Sequence, residues 1–365
     1  MSEKRSQSAA SSFVFKLLES FGNQGIAFVV SLVLGRLLTP DDYGVLSLLL
    51  VFTAIAQVFV QSGLNTALIQ RAEIDETDRS SVFFLGLAIA ALLYTALFFA
   101  APAIERYFAM VGLASYLRVL ALILFPGALT SVQNAVIARE MSFRKLMTAS
   151  LAATVLSGGV GITMALKGLG VWALVGQQLT NQFSLCVLLL VLVRWRPHFC
   201  FSLRRVRSLF SFGWKLLLSS LMDTGYQHLR SFVIGKKFSS EALGYFNRGK
   251  QFPELLMNAV NGSIQSVMLP VLSEQQDDLE RMKQTMRRSI MASSFLVLPL
   301  MAGLAAVARP LVSLLLTDKW LPCVPFLQIC CIDFAFYPIH TANLQAINAM
   351  GRSDVFLKLE IVKKS

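Results

Sequence analysis

Residues 34–44 read Leu34-Gly35-Arg36-Leu37-Leu38-Thr39-Pro40-Asp41-Asp42-Tyr43-Gly44, a short polar turn set between two apolar runs. The runs, 13–38 and 44–66, are each long enough to cross a bilayer, since a hydrocarbon core of about 30 Å takes about 20 helical residues. The pattern returns 200 residues later. Without a gap, Leu17, Leu18, Ser20, Gly25, Ser31, Gly35 and Gly44 face Leu217, Leu218, Ser220, Gly225, Ser231, Gly235 and Gly244, and Thr39-Pro40-Asp41 faces Ser239-Ser240-Glu241. Six spans separate the copies, an even number, so both have the same sense in the membrane. Parallel repeats of this kind build two lobes around a central cavity.

Further apolar stretches fall at about 80–101, 113–137, 146–166, 169–193, 209–234, 250–272, 290–316 and 321–349, giving ten spans and the start of an eleventh. Short connectors make successive helices antiparallel neighbours. The expected fold is therefore an all-α polytopic membrane protein with two parallel-repeat helical lobes. Residues 1–193 form the amino-terminal lobe, 194–208 a basic cytoplasmic linker and 209–365 the carboxy-terminal lobe. After Arg352 only about a dozen residues follow, so the second lobe is expected to be incomplete.

Composition agrees with that partition. The chain is 55% hydrophobic and 15% charged, whereas soluble domains are about a quarter charged. A formal net charge of +12 would suit nucleic acid if it formed one patch. The basic residues instead sit in short loops between spans, which is a topology signal. Alternate connectors with the amino terminus carry eighteen Lys and Arg, from Lys4 to Arg352, against eight, from Arg36 to Lys319, on the other side. The amino terminus is therefore expected in the cytoplasm, with Lys236, Lys237, Arg248 and Lys250 the least comfortable exception. No cleavable signal peptide is read at the amino terminus. Cys186, Cys200, Cys323, Cys330 and Cys331 lack CxxC spacing and read as small apolar residues rather than metal ligands.

Ionisable groups inside spans are costly and mark interiors or pathways. At about 100° per residue, Lys215, Ser219, Asp223, Tyr226 and Arg230 fall on one narrow face of the seventh span. The first span carries Lys16, Glu19, Ser20, Asn23 and Ser31, with Asn23 at the repeat position of Asp223. Two readings stay open: a hydrophilic cavity facing a substrate, or snorkelling cations with an Asp223–Arg230 packing pair. Asn258 and Asn261 lie in the eighth span and Gln177, Gln178, Asn181 and Gln182 in the sixth, where helix-to-helix hydrogen bonding is an alternative use. Asp333, Tyr337 and His340 share a face of the tenth, where Asp333 and His340, like Asp223, are candidates for proton coupling. Gly158, Gly159 and Gly161 permit close helix approach. No nucleotide loop, HExxH, GxSxG or paired catalytic carboxylate is present, so neither an enzyme nor a cofactor is expected.

Taken together, residues 34–44, Ser62-Gly63-Leu64-Asn65-Thr66-Ala67-Leu68-Ile69-Gln70, Ala138 to Arg144, Gly168 to Leu174, Phe212-Gly213-Trp214-Lys215 and Leu243 to Arg248 resemble bacterial polysaccharide exporters. That group comprises lipid-linked oligosaccharide flippases of the multidrug/oligosaccharidyl-lipid/polysaccharide superfamily, and the likeness is to its colanic-acid-exporter, lipopolysaccharide-biosynthesis type. The resemblance implies a multi-pass protein of the bacterial inner membrane. It also implies two lobes that alternate between inward-open and outward-open forms to move a polyprenyl-diphosphate-linked glycan, with membrane lipids and the polysaccharide polymerase and co-polymerase as partners. Given an anionic headgroup, Lys215 and Arg230 are expected to attract the diphosphate, with Arg248 or Lys16 at a cavity mouth. Asn23, Tyr226 and Asn258 are expected to meet sugars, and Asp223 to orient the bases or carry a proton. The competing readings are a cation-coupled drug antiporter, a peptidoglycan-precursor flippase and a non-transporting scaffold for glycan synthesis.

Overall fold

A computed structural model describes residues 22–61, 65, 68, 74–193, 195–273 and 279–349. Every regular element among them is helical. In chain order these are α1 (Gly22–Leu37), α2 (Pro40–Gln61), α3 (Glu76–Phe108), α4 (Leu113–Leu120), α5 (Leu124–Glu140), α6 (Phe143–Leu166), α7 (Val171–Val193), α8 (Leu203–Lys237), α9 (Ser240–Ser273), α10 (Leu279–Ala306), α11 (Ala308–Leu316), α12 (Val324–Ala335) and α13 (Tyr337–Ala349). Among the described residues, seven helical segments are long and apolar enough to cross a membrane: Pro40–Gln61, Glu76–Phe108, Leu113–Glu140, Phe143–Leu166, Val171–Val193, Glu280–Ala306 and Asp318–Asn343. The protein is a multi-pass membrane protein. α8 and α9 are longer still, at 35 and 34 residues, and α8 carries Lys215, Asp223 and Arg230 within its length.

Contacts fall into two compact units, Met1–Leu243 and Gly244–Ser365. In the first, α2 packs on α3, α5, α7 and α8, while α6 and α7 run against each other as a hairpin. Leu34, Leu48, Leu49, Leu117, Leu120 and Leu174 form the core at one end, and Val132, Val136, Ile137, Leu189 and Trp195 fill a second core at the other. Polar side chains tie helices inside the spans. Asn23 Nδ2 donates to Ser150 Oγ (2.9 Å) and Thr154 Oγ1 donates to Asn23 Oδ1 (2.9 Å). From α7, Asn181 Nδ2 reaches Ser157 Oγ (3.3 Å) and Gln182 Nε2 reaches Thr130 Oγ1 (3.5 Å). A Cβ on Gly158 would lie 2.6 Å from Val30 and one on Gly161 would lie 3.1 Å from Gln177, so small residues let α1 and α7 approach α6 closely.

At the turn itself, positions 200 residues apart have matching helix ends. α1 ends at Leu37 and α8 at Lys237, and α2 begins at Pro40 and α9 at Ser240. The caps match as well. Asp42 N donates to Thr39 Oγ1 (3.3 Å) and Ala242 N donates to Ser239 Oγ (3.1 Å), the hydroxyl in each case satisfying an amide of the first turn. Thr39 is reinforced by Asp42, whose Oδ2 accepts from Thr39 N (2.8 Å) and Oγ1 (2.7 Å), with Pro40 at the first helical position where its missing N–H costs nothing.

In the second unit, α10 packs on α12 and α13. A Cβ on Gly249 would lie 2.8 Å from the Cys323 carbonyl oxygen and 2.8 Å from Leu327 N, so α9 lies backbone against backbone on the start of α12. Trp320 is fully buried and meets the ring of Tyr245 edge-on. The expected tenth span is broken at Phe336, between α12 and α13. Pro338 supplies no N–H to continue the ladder and disfavours helical backbone just before it.

Candidate functional site

α8 buries one face and opens the other. Gly213, Ser231 and Gly235 are buried, and their small side chains let α8 lie close against α2 and α3. A Cβ at Gly235 would already touch Leu48 at 3.3 Å and Leu243 at 3.4 Å. On the opposite side, two stripes run in parallel. One is apolar and exposed: Leu218, Met222, Leu229 and Val233. The other holds Lys215, Ser219, Asp223, Tyr226 and Arg230, all exposed except the half-buried Tyr226. Because α8 is one uninterrupted helix, the spacing read from the sequence survives as a continuous polar stripe about four turns long. Lys215 makes no hydrogen bond or ion pair among the described residues, whereas Asp223, Tyr226 and Arg230 are engaged.

The other expected residues are placed differently. Asn23 spends its amide on Ser150 and Thr154 of α6, so in this structure it is a tie between helices. Arg248 is buried at 4% exposure, hydrogen-bonded to Gln251 Oε1 (2.6 Å) and set over the Trp320 ring at 5.2 Å. Asn258 is exposed on α9 and Asp333 on α12. His340 lies beyond the Phe336 break, its ring 6.1 Å from that of Tyr337, so the regular-helix reckoning that grouped it with Asp333 spans a discontinuity. Lys16 lies outside the described residues.

In the first unit the connectors sort to two ends as an alternating chain requires. At one end, Ser240 Oγ donates to Asp41 Oδ1, and Lys236 Nζ donates to the Tyr107 carbonyl while resting 3.8 Å from the centre of its ring. Lys236 is thus held by a carbonyl and a ring face, both good partners for an ammonium. At the opposite end, the stretch between α7 and α8 is laid on the start of α3. Trp195 Nε1 donates to Glu76 Oε2 (2.9 Å), His198 N to Ser80 Oγ (3.1 Å) and Ser202 N to Ser81 Oγ (3.0 Å). Arg205 Nη1 lies 2.7 Å from Asp75 Oδ2 and 3.3 Å from Asp78 Oδ2. The hydrogen bond to Asp75 and the charge of Asp78 hold the guanidinium above the usual arginine range. Sequence reasoning passed over the stretch before the span at 80–101 as a plain connector, although Asp75 and Asp78 stand at capping-box spacing, where Asp75 N donates to Asp78 Oδ2 (3.2 Å).

Residues 33–325 match the family described as "Polysaccharide biosynthesis protein". The chain belongs to this family. It is 25% identical to the succinoglycan biosynthesis transport protein ExoT of Rhizobium meliloti over 349 residues, covering 96% of this chain and 71% of that protein. It is 24% identical to the teichuronic acid biosynthesis protein TuaB of Bacillus subtilis, covering 90% and 69%. With the lipopolysaccharide biosynthesis protein WzxC of Escherichia coli it shares 22% identity, covering 93% and 69%. Among solved structures, the lipid II flippase MurJ in an inward closed conformation superposes with a TM-score of 0.71 at 12% identity, over 93% of this chain and 76% of that one. An inward-facing multidrug transporter of the MATE family gives 0.66 at 16%, over 93% and 84%. These likenesses show that the chain shares the fold of those two transporters.

Proposed function

We propose that this protein moves a polyprenyl-diphosphate-linked oligosaccharide repeat unit across the bacterial cytoplasmic membrane for surface-polysaccharide synthesis. The observation that carries the reading is the exposed polar stripe of α8. Two cations, one carboxylate and two hydroxyls stand in line on a helix whose other exposed stripe is apolar, which suits a cargo with an anionic head, sugars and a lipid tail. Lys215 and Arg230 draw the diphosphate, Ser219 and Tyr226 hydrogen-bond to sugars, and Asp223 orients the bases. Its net positive charge disfavours the organic cations of a drug antiporter.

In this reading the amino terminus is cytoplasmic, because the end carrying Arg139, Arg144, Lys145, Arg196, Arg204 and Arg205 is the more basic one. The repeat-related turns support two lobes, 1–193 and 209–365, joined through 194–208. Polymerase and co-polymerase proteins would receive the delivered unit on the far side.

The test is complementation of a deletion strain by the chain and by a Lys215→Ala/Arg230→Ala variant. Surface polymer restored by the first and not by the second, with lipid-linked intermediate stranded inside and protein levels equal, is expected. Equal restoration by both removes the role given to the stripe, and restoration by neither discards the glycan cargo.

A further inference from the structure

The α7–α8 linker is a strap with one side fastened and the other side facing outward. Its fastened side uses the Trp195 indole, the His198 and Ser202 amides and the Arg205 guanidinium on the first turns of α3, where Ser80 and Ser81 are fully buried. Acidic groups at this end are already committed: Glu76 faces Arg79 (3.3 Å) and the Trp195 indole, and Asp75 and Asp78 face Arg205. The outer side presents Phe199, 100% exposed although its ring stacks beside that of Phe84 at 5.8 Å, and Phe201, 53% exposed. Beside them stand Arg196 and Arg204, both exposed and neither making a hydrogen bond or ion pair among the described residues. Next to Arg196 and Pro197 is a groove of about 730 Å³ walled by Leu190 and Val191 from the last turns of α7.

We infer that this strap is a binding surface for an anionic phospholipid of the bilayer, with a phosphodiester on Arg196, an acyl chain along Leu190 and Val191, and Phe199 and Phe201 inserted at headgroup depth. α7 ends at Val193 and α3 begins at Glu76, so the strap sits where spans leave hydrocarbon. A fully exposed phenyl ring costs free energy in water and gains it at an interface. Arginine pairs with phosphate oxygens in a two-pronged geometry while its stem covers apolar surface, and unpaired basic residues at this level are drawn to anionic headgroups. The fastened backbone presents the four side chains without further ordering, which removes an entropic cost of binding. The surface takes ordinary phospholipid; the transported lipid has its own stripe on α8.

The test uses the purified full chain in a neutral detergent, titrated with phosphatidylglycerol or with phosphatidylcholine and read by native mass spectrometry and melting temperature. Phosphatidylglycerol is expected to bind and raise the melting temperature, and phosphatidylcholine is not. An Arg196→Gln/Arg204→Gln variant binds it on the order of tenfold more weakly, while Arg205→Gln lowers the starting melting temperature and keeps the phosphatidylglycerol increment. Equal response to the two lipids, or an unchanged response in the double variant, overturns the inference. Displacement of phosphatidylglycerol by undecaprenyl diphosphate also overturns it, because the surface would then belong to the cargo.

Discussion

A methyl group on Gly44 would run into the carbonyl oxygen of Ser240, a backbone atom that cannot rotate away. Gly44→Ala is therefore expected to lower stability by about 1–3 kcal/mol, the usual range for overpacking, seen as a reduced melting temperature in detergent. Gly25→Ala, with nothing within 4 Å of its new Cβ, is the matched control and is expected to be neutral or slightly stabilising, since alanine is the better helix former. At Asn23 the stakes are smaller. Polar ties between membrane helices average about 0.6 kcal/mol, so Asn23→Ala combined with Thr154→Val in a double-mutant cycle is expected to give a coupling energy of that order. The identity of Asn23 as a meaningful polar residue was legible because an amide in a span needs a partner. Its partners were not, since Ser150 and Thr154 lie more than a hundred positions away and serine and threonine also satisfy themselves on their own helix, as Thr154 does on the Ser150 carbonyl (2.9 Å).

At the scale of elements, hydropathy found an apolar run inside each long helix but began α9 and α10 about ten residues late, at 250 and 290 against Ser240 and Leu279, and misjudged what the longest ones are. A helix of 35 residues at ~1.5 Å per residue extends over about 50 Å, beyond a hydrocarbon core, and α8 starts at Leu203 inside the stretch read as linker. The remaining linker, 195–202, is not a free loop. Its tryptophan and two of its backbone amides, with Arg205 from the first turn of α8, are claimed by the start of α3 and its cap Asp75, and none of these pairings has a periodicity that a sequence displays. Arg205→Ala is expected to release the strap and accelerate protease cleavage between Trp195 and Arg204, with no change elsewhere in the digestion pattern. Conversely, the α8 stripe was readable in full, because an uninterrupted helix preserves spacing. The group on the tenth span was not, because Pro338 breaks the ladder on which that spacing depends.

For the whole molecule, the sorting of connectors to two ends makes topology measurable. Cys186, Cys323, Cys330 and Cys331 are buried and Cys200 is half-buried, so background labelling is low. With a membrane-impermeant thiol reagent, Lys237→Cys is expected to react in intact cells and Arg204→Cys only after permeabilisation. The reverse pattern would invert the orientation proposed from the basic residues. The count of Lys and Arg carried this reading with one weak point, the cations after the seventh span, and the structure gives one of those an account. Lys236 lies on a carbonyl and a ring, an arrangement that depends on folding and that charge counting ignores.

The two ends of the first unit are also fastened by different kinds of bond. Where α2 meets the start of α9, a hydroxyl touches a carboxylate and an ammonium touches a carbonyl and a ring, all at exposed positions. Parting them leaves each group facing water that can solvate it, so separation there is a wetting event with no stranded charge. Lifting the linker from α3 would uncover Asp78, 2% exposed, without its guanidinium, and would empty the hydroxyls of two buried serines. If the helices of this unit part at one end during a working cycle, the clasp of Asp41, Ser240, Lys236 and Tyr107 is the seam that opens, and the linker end is the hinge.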